Sequence, residues 1–374
     1  MDFRFSEDQE TIRELARQIL ADQTSPERAK ELEDNGEWYD GKLWTALAEA
    51  NLTALCLPEA VGGGGCGFFE LALVLEEAGR TLAPVPLLPT LALAGLPIAR
   101  FGTAEQQERW LAPVAGAEAI LTAALHETGS QQPERPRVAA RRDGDGWRLD
   151  GEKICVPAAH LAHAILVPAR TDAGLALFVI EPAARGVELE RQITTNREPQ
   201  SRILLDGAVA SDRIGEAESG AEILDWLLLR GTAALCAQQL GVASEALRRT
   251  AEYTAERKQF GRPIATFQGV ALRAADAFID LEAMRSTVWQ AAWRLGEELP
   301  AATEVAAAKW WACTAGHRVV HTAQHLHGGI GADVDYPIHR YLLWSKQAEL
   351  MLGGASLQVA KLGRQLVEAR RQEA

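Results

Sequence analysis

The chain has 374 residues, of which 47 % are hydrophobic and 24 % are charged. This length and composition allow one large core or several domains, and they exclude a disordered chain, a fibre and a disulfide-stabilised miniprotein. The 38 basic and 51 acidic side chains give a net charge of −13. Such a surface disfavours nucleic acid and anionic lipid as partners, although a local basic patch could bind a phosphorylated small molecule.

No segment of the sequence predicts a membrane span or a secreted protein. The longest uncharged run, residues 81–99, contains four prolines, whereas a spanning helix needs about 20 uninterrupted apolar residues. Residues 1–8 lack the basic and apolar regions of a signal peptide. The five cysteines are widely spaced and no Cys-x-x-Cys occurs, which is typical of free thiols in a reducing cytoplasm. We therefore expect a cytoplasmic protein.

The N-terminal block, residues 1–120, is predicted to be helical. Apolar residues recur at helical spacing in 8–20 and again in 68–78. Thr103 and Gln106 stand where an N-cap residue and its capping-box partner belong. These signals predict a helical N-terminal domain.

The middle block, residues 121–215, consists of short apolar runs between turn signals, which predicts a β-domain, either a barrel or a sandwich. From residue 216 to residue 374 long helical patterns return, and the first is apolar nearly all round, as in a helix inside a four-helix bundle. The order α–β–α predicts an α+β protein rather than the alternating pattern of a doubly wound sheet. The expected strands lie in 138–149, 164–167, 175–180 and 203–205, and the expected C-terminal helices in 223–249, 270–295 and 306–324.

Two patterns resemble sites but have simpler explanations. Gly62, Gly64 and Gly67 match a dinucleotide fingerprint, but no strand is predicted before them, which favours a loop. The spacing of His317 and His321 places them on one helix face together with His325. Because no glutamate follows the first histidine as in a zinc protease, we predict packing or polar contacts at a subunit interface there and no metal site.

Two helix ends carry more information. Residues 256–268, which we call the Arg257 corner, place three cations within six residues beside a glycine and a proline that end a helix. Cations and free backbone N–H groups at such a corner can bind a pyrophosphate, and a solvated basic turn is the alternative. Residues 327–331, which we call the glycine end, permit close approach of another chain or a ligand.

Taken in this order, the motifs resemble the acyl-CoA dehydrogenase family over nearly the whole chain. The resemblance rests on residues 57–63, 71–80, 256–268, 327–331 and 336–341. It implies the acyl-CoA dehydrogenase fold, an FAD bound between subunits, and oxidation of an acyl-CoA thioester to the trans-2-enoyl-CoA. It also implies a glutamate base that removes the α-proton, and electron transfer to an electron-transferring flavoprotein.

In this family the neighbouring subunit contacts the pyrophosphate and adenosine of FAD, and the resemblance implies that this sequence retains the residues for those contacts. The residues at the matching positions are Arg257, Phe260, Gln268, His325, Gly328 and Gly329. On the side that faces the isoalloxazine ring, His126 takes the place of a threonine. Cys155 and Pro157 replace the tryptophan and threonine of the family's strand, so neither an indole face nor a hydroxyl group is present.

The base is also absent, because the two positions at which family members carry the glutamate are Gly231 and Gly353. Residues 332–344 and the strand ending in Pro157 resemble the non-catalytic subunits of heteromeric dehydrogenases from bacteria that degrade steroid side chains. The resemblance therefore implies a partner subunit that completes FAD binding in a second subunit. The alternatives are a self-sufficient dehydrogenase with a displaced base such as Glu349 or Asp225, a flavin monooxygenase, and a binding protein without redox chemistry.

Overall fold

The computed structural model describes residues 4–36, 38–216 and 218–373, and this part of the chain contains eleven α-helices and ten β-strands. The helices are α1 (Glu7–Gln23), α2 (Pro26–Asp34), α3 (Gly41–Glu49), α4 (Phe68–Thr81), α5 (Leu96–Phe101), α6 (Ala104–Ala115), α7 (Gly220–Glu256), α8 (Gln268–Gly296), α9 (Ala302–His327), α10 (Ile338–Leu350) and α11 (Ala355–Glu373). The strands are β1 (Leu121–Ala123), β2 (Ala139–Asp143), β3 (Gly146–Pro157), β4 (Ala164–Thr171), β5 (Gly174–Ile180), β6 (Val187–Ile193), β7 (Pro199–Val209), β8 (Asp212–Ile214), β9 (Lys258–Gln259) and β10 (Arg262–Pro263). The predicted helical, β and helical blocks are confirmed.

The chain forms two compact units whose segments interleave along the sequence. One consists of Met1–Glu37, Phe68–Pro84 and Thr232–Ala374, and the other of Trp38–Gly67 and Val85–Gly231. These two units are defined by contacts between residues, whereas the three domains expected from the sequence are defined by composition. The three domain boundaries therefore stay a prediction.

The first unit contains α4 and most of α7, which pack backbone against backbone. A Cβ atom added to Gly79 would lie 2.0 Å from the carbonyl oxygen of Gln238, and one added to Gly241 would lie 1.8 Å from that of Glu76. Only glycine allows helices to approach this closely. Residues of α7, α9 and α10 form a buried cluster in the same unit, namely Val242, Ala246, Val320, Ala323, Ile338 and Tyr341.

The second unit is built around a mixed eight-stranded sheet. Seven of its strands follow the order β6-β7-β3-β2-β4-β5-β8, and the eighth, β1, pairs parallel with β4. The hairpin of β2 and β3 falls where the sequence predicts it, with Asp143 paired with Gly146 at the turn. Alternate residues of the strands form the core, including Leu149, Ile165, Phe178 and Ile203. In the same unit Thr103 and Gln106 form the predicted capping box of α6.

The glycine fingerprint lies in a loop, as the sequence predicts. A short 3-10 helix, Glu59–Val61, precedes Gly62, and a Cβ atom at Gly63 would lie 2.2 Å from the carbonyl oxygen of Leu57. The glycines therefore form a tight turn and do not follow a strand. No helix in the described parts of the chain is both long and apolar enough to cross a membrane.

Candidate functional site

The Arg257 corner is a tight hairpin directly after α7. The Arg257 N–H donates to the carbonyl oxygen of Tyr253 at 2.8 Å, and its own carbonyl accepts from the Ile264 N–H at 2.8 Å. Between them β9 and β10 pair, and the turn residues Phe260 and Gly261 have φ values of +52° and +78°. Two successive left-handed residues are the requirement of a type I′ hairpin turn, so the backbone fixes where the corner's side chains project.

The side chains of this corner are directed to solvent. Phe260 is 93 % exposed, and its ring lies edge-on to that of Phe267 at a centroid distance of 6.2 Å. Gln268 is exposed at the first residue of α8. The exposed Arg257 guanidinium forms no ion pair with any carboxylate in the described part of the chain. An exposed aromatic ring beside an uncompensated cation is a surface suited to a phosphate-bearing ligand with a planar group.

The glycine end begins where α9 ends at His327. Gly328 has φ +64° and ψ −140°, a conformation that is essentially restricted to glycine. A Cβ atom added to Gly328 or Gly329 would meet nothing within 4 Å, so the space beside both residues is open. His325 is exposed one turn earlier, on the same helix. The backbone at this end can therefore be approached closely by another molecule.

The structure brings the two helix ends together. The ring of Tyr253, one turn before Arg257, stacks on the ring of His327 at 4.4 Å, and the Tyr253 hydroxyl donates to the His327 carbonyl oxygen at 3.5 Å. Burial lowers the pKa of His327, whose Nδ1 lies 2.8 Å from the carbonyl oxygen of Ala323, so the ring is neutral and donates there. This stack holds the predicted nucleotide-binding residues of both motifs at one end of the first unit.

The segment of β3 in the place of the flavin-facing strand is distorted, and we call residues 153–157 the bulged strand. The β3–β7 pairing shifts register between Lys153 and Val156, and Cys155 has φ +50°. The Cys155 N–H donates to Gln192 Oε1 at 2.9 Å instead of to the sheet. Burial raises the pKa of the Cys155 thiol, which keeps it protonated. The segment therefore offers neither a flat aromatic face nor a hydroxyl group.

A buried ion pair holds the bulged strand against the preceding loop. Lys153 Nζ lies 2.7 Å from Glu127 Oε1, and both side chains are buried. Burial raises the pKa of Glu127, but the hydrogen bonds from Lys153 and from the N–H groups of Arg137 and Val138 outweigh it, so this pKa lies below its ordinary value. His126 pairs with Ile154 beside this contact. No local sequence pattern indicates this pair, because Glu127 and Lys153 are 26 residues apart.

The two family positions for the base both hold glycine, and at Gly353 the observed backbone disfavours a carboxylate side chain. Gly231 is buried within α7. Gly353 has φ +94°, and a Cβ atom there would lie 2.5 Å from Leu357 Cδ2. A side chain at this position would therefore be strained as well as crowded.

The displaced-base candidates differ in their surroundings. Glu349 Oε2 accepts from Lys346 Nζ at 2.6 Å and lies 3.3 Å from His317 Nδ1. Burial raises the pKa of Glu349, but these two partners outweigh it and hold the pKa below its usual value, whereas a proton-abstracting group works best with a pKa near the working pH. Asp225 is exposed on α7.

The histidines that share one face of α9 make polar contacts. The rings of His317 and His321 lie 4.2 Å apart, and Lys346 Nζ lies 2.9 Å from His317 Nδ1. Among the described residues, no group of three or more His, Cys, Asp or Glu side chains is arranged to hold a metal ion.

One titratable group with a shifted pKa, Glu198, has no signal in the sequence. Burial raises the pKa of Glu198 to about 7, and the amide groups of Asn196 and Gln200 each donate to its Oε2 at 3.4 Å. Gln200 is paired with Pro157 across β7 and β3, so this carboxyl group lies near the end of the bulged strand. Charged residues and a proline around Glu198 give the sequence the character of a solvated turn, which hides the partial burial of this side chain.

Comparison with known proteins gives a consistent result. The family model of the acyl-CoA dehydrogenase N-terminal domain matches residues 6–118, and that of the C-terminal domain matches residues 218–367. Acyl-CoA dehydrogenase FadE27 of Mycobacterium tuberculosis is 39 % identical over 98 % of this chain and 99 % of the relative. A solved variant of the Tcur3481-Tcur3483 steroid ACAD is 45 % identical with a TM-score of 0.92, over 98 % of this chain and 99 % of that chain. The ChsE4-ChsE5 complex from Mycobacterium tuberculosis is 40 % identical with a TM-score of 0.93 over the same shares.

Proposed function

The chain belongs to the acyl-CoA dehydrogenase family, whose cofactor is FAD, and on this premise we propose that it is the partner subunit of a heteromeric acyl-CoA dehydrogenase. Its Arg257 corner and glycine end complete the FAD site of a second, catalytic subunit. The chain itself supplies no base. FAD supplies the hydride acceptor for α,β-desaturation of the acyl-CoA when bound in the complex.

The observation that carries the proposal is the contrast between the two sets of predicted site residues. The exposed Arg257, Phe260 and Gln268 stand on a backbone-fixed corner next to the open space at the glycine end. These residues fit a role in contacting pyrophosphate and adenosine. Glycine at positions 231 and 353 cannot move a proton, and the bulged strand cannot supply the ring contacts of the family.

Exposed apolar side chains support a second chain as the partner. Leu272, Phe278 and Ile279 in the first half of α8 are 57 %, 57 % and 66 % exposed. Leu272 and Ile279 are seven residues apart and therefore share one face of α8, and neighbouring exposed apolar groups are typical of protein interfaces. The ChsE4-ChsE5 structure is a complex of two named components, and the Tcur3481-Tcur3483 protein is named a steroid ACAD. We therefore propose a steroid or other lipid acyl-CoA as the substrate of the complex, and an electron-transferring flavoprotein as its electron acceptor.

A second candidate function is a self-sufficient dehydrogenase with a displaced base. Glu198 favours it, because a carboxyl group whose pKa is about 7 can exchange a proton at neutral pH. Glu349 is less suited, since Lys346 and His317 hold its pKa low.

The visible absorbance spectrum tests the proposal. The chain is purified alone, and again after co-expression with a candidate catalytic acyl-CoA dehydrogenase subunit from the same genome. The proposal predicts a colourless chain and a yellow complex whose absorbance bleaches on addition of acyl-CoA. A chain that is yellow alone and bleaches with acyl-CoA would contradict the proposal and support the second candidate.

A further inference from the structure

The loop that carries the glycine fingerprint also carries two cysteines, one at each end. Cys56 stands directly before residues 57–65, and Cys66 stands directly after them. Cys56 is buried, whereas Cys66 is partly exposed. We propose that Cys56 and Cys66 form a reversible disulfide when a peroxide oxidises Cys66, which closes residues 56–66 into a covalent ring.

The backbone brings the two cysteines next to each other. The Cys66 N–H donates to the carbonyl oxygen of Leu55, which precedes Cys56, at 2.9 Å. The Gly65 N–H donates to the carbonyl oxygen of Leu57, which follows Cys56, also at 2.9 Å. Residues that face each other across hydrogen-bonded backbone segments have Cα atoms about 4.5–5.5 Å apart, and a disulfide spans about 4.4–6.8 Å. The hydrogen bonds on both sides of Cys56 therefore place the pair within the distance that a disulfide spans.

Glycines keep these two segments in contact. A Cβ atom added to Gly64 would lie 2.8 Å from the carbonyl oxygen of Leu55, which is closer than a side chain approaches. Gly65 has φ +64°, in the left-handed region that favours glycine. The segment that ends in Cys66 is thereby held against the segment that contains Cys56 while both residues are still thiols.

The electrostatics of the pair agree with this geometry and assign a role to each thiol. Burial is the main cause that raises the pKa of the Cys56 thiol to about 12, and Cys66 contributes to the same shift. An electrostatic effect of one thiol on the other falls off with their separation. Because Cys56 stays protonated at neutral pH and is buried, it does not react first with an oxidant. The partly exposed Cys66 is the thiol that a peroxide reaches.

The disulfide forms in two steps. The Cys66 sulfur attacks one oxygen of the peroxide, the O–O bond breaks, and the products are a sulfenic acid at Cys66 and water, or an alcohol from an organic peroxide. The Cys56 sulfur then attacks the Cys66 sulfur, and the hydroxyl group leaves as water with the proton of the Cys56 thiol. The two thiols lose two electrons, which the peroxide gains. A dithiol reverses the reaction by thiol–disulfide exchange.

The other three cysteines each lack proximity or access. Cys313 contributes to the raised pKa of Cys236, but these two side chains are 1 % and 0 % exposed, so a peroxide does not reach them. Cys155 is partly exposed, but burial is the cause that raises its pKa, and no second thiol in the described part of the chain contributes. Of the five cysteines, Cys56 and Cys66 therefore combine a neighbouring thiol with access from solvent.

Mass spectrometry of the full chain after treatment with hydrogen peroxide tests this proposal. Trypsin releases residues 43–80 as one peptide, which contains Cys56 and Cys66 and no other cysteine. We expect this peptide to become lighter by two hydrogen atoms and to resist alkylation until a dithiol reduces it. Cleavage after glutamates, including Glu59 between the two cysteines, should leave two fragments that separate only on reduction. Cys236 and Cys313 should keep their thiols.

Three results of this experiment would overturn the proposal. The first is an oxidised Cys66 beside a Cys56 that still reacts with the alkylating reagent. The second is a disulfide that joins Cys66 of two different chains. The third is retention of both thiols at a peroxide concentration that oxidises Cys155.

Variants test the assigned order of the two steps. Cys56→Ser removes the attacking thiol, so labelling of the Cys66 sulfenic acid by dimedone should rise at least about tenfold over that of the unmodified chain. Cys66→Ser should leave Cys56 as a thiol under the same treatment, because Cys56 is buried. Cys155→Ser removes a partly exposed thiol elsewhere and is the matched control, which should form the disulfide as the unmodified chain does. Equal dimedone labelling of Cys56→Ser and the unmodified chain would show that Cys56 does not attack Cys66 and would refute the proposal.

Discussion

By family resemblance, the Arg257 corner corresponds to the part of a subunit that contacts the FAD of its neighbour, and the bulged strand to the part that faces the flavin ring of its own subunit. This chain treats the two regions differently. At the corner, a hairpin turn and the Tyr253–His327 stack fix the backbone, and the matching side chains remain exposed. At the bulged strand the backbone is also fixed, by the Glu127–Lys153 pair, but the side chains that would face the ring are absent. A site can therefore keep its backbone scaffold and lose the side chains that carry its chemistry.

The largest effect is expected from breaking the scaffold of the bulged strand. Lys153→Met leaves the Glu127 carboxylate buried without its cation, and removal of one member of a buried pair costs about 3–5 kcal/mol. Urea unfolding of the chain measures this loss in the free energy of unfolding. Lys30→Met is the matched control, because it removes an exposed pair with Asp335 and should cost at most about 1 kcal/mol. Equal losses in the two variants would show that Lys153 does not support the strand.

The second-largest effect is expected on FAD binding at the Arg257 corner. Arg257→Ala removes a charged contact to the proposed FAD pyrophosphate, worth about 1.5–3 kcal/mol, or roughly ten- to hundredfold in affinity. The ratio of flavin to protein absorbance in the dialysed heteromer measures it. Arg248→Ala serves as the control, since Arg248 pairs with Glu245 and Glu252 on its own helix. Full FAD occupancy in Arg257→Ala would disprove the proposed contact.

A third variant tests whether the catalytic base is all that this chain lacks for dehydrogenase activity. Gly353→Glu restores a carboxylate at a family position, but φ +94° and the contact with Leu357 are expected to cost about 1–3 kcal/mol of stability. We expect no dehydrogenase activity from this variant alone, because the ring contacts are still missing. Gly354→Ala is the control for crowding, since the nearest atom to its Cβ lies at 3.7 Å. Turnover by Gly353→Glu alone would show that only the base was lacking.

Local signals in the sequence predicted much of the fold. The capping box at Thr103 and Gln106 is formed as expected, and the β2–β3 hairpin has its turn within the predicted range 138–149, although β3 continues to Pro157. Helix ends at Glu256 and His327 also fall where glycine, proline and cations indicate them. Each of these features depends on neighbours within a few residues, which is the range over which sequence patterns are informative.

The features that could not be predicted depend on contacts between distant residues. Glu127 meets Lys153 across 26 residues, and Tyr253 meets the carbonyl oxygen of His327 across 74. The left-handed backbone at Cys155 is a consequence of the β-bulge, and no local pattern marks it. The candidate FAD residues were identified from the family resemblance rather than from physics, and their roles stay predictions.

The smallest effect distinguishes the two candidate functions at Glu198. Burial raises the pKa of this carboxyl group to about 7, above its ordinary value of 4.5. Between these two values the folded chain keeps a proton that the unfolded chain has lost, so the free energy of unfolding falls as the pH rises from about 4.5 to 7. A pKa difference of this size corresponds to at most about 2.5 kcal/mol between pH 5 and pH 8. Because the side chain is only partly buried, we expect Glu198→Gln, which has no ionisable proton, to gain about 1–2 kcal/mol over the unmodified chain at pH 8 relative to pH 5.

Denaturant unfolding at both pH values measures this gain, with Glu188→Gln on the exposed side of β6 as the control. An equal gain in both variants would show that the burial of Glu198 is not its cause. Dehydrogenase activity of the Glu198→Gln variant then distinguishes a partner subunit from a self-sufficient dehydrogenase. If the chain is a partner subunit, Glu198→Gln leaves turnover by the complex unchanged, because the base belongs to the other subunit. If Glu198 is a displaced base, the same variant abolishes turnover by the chain alone while its stability at pH 8 still rises.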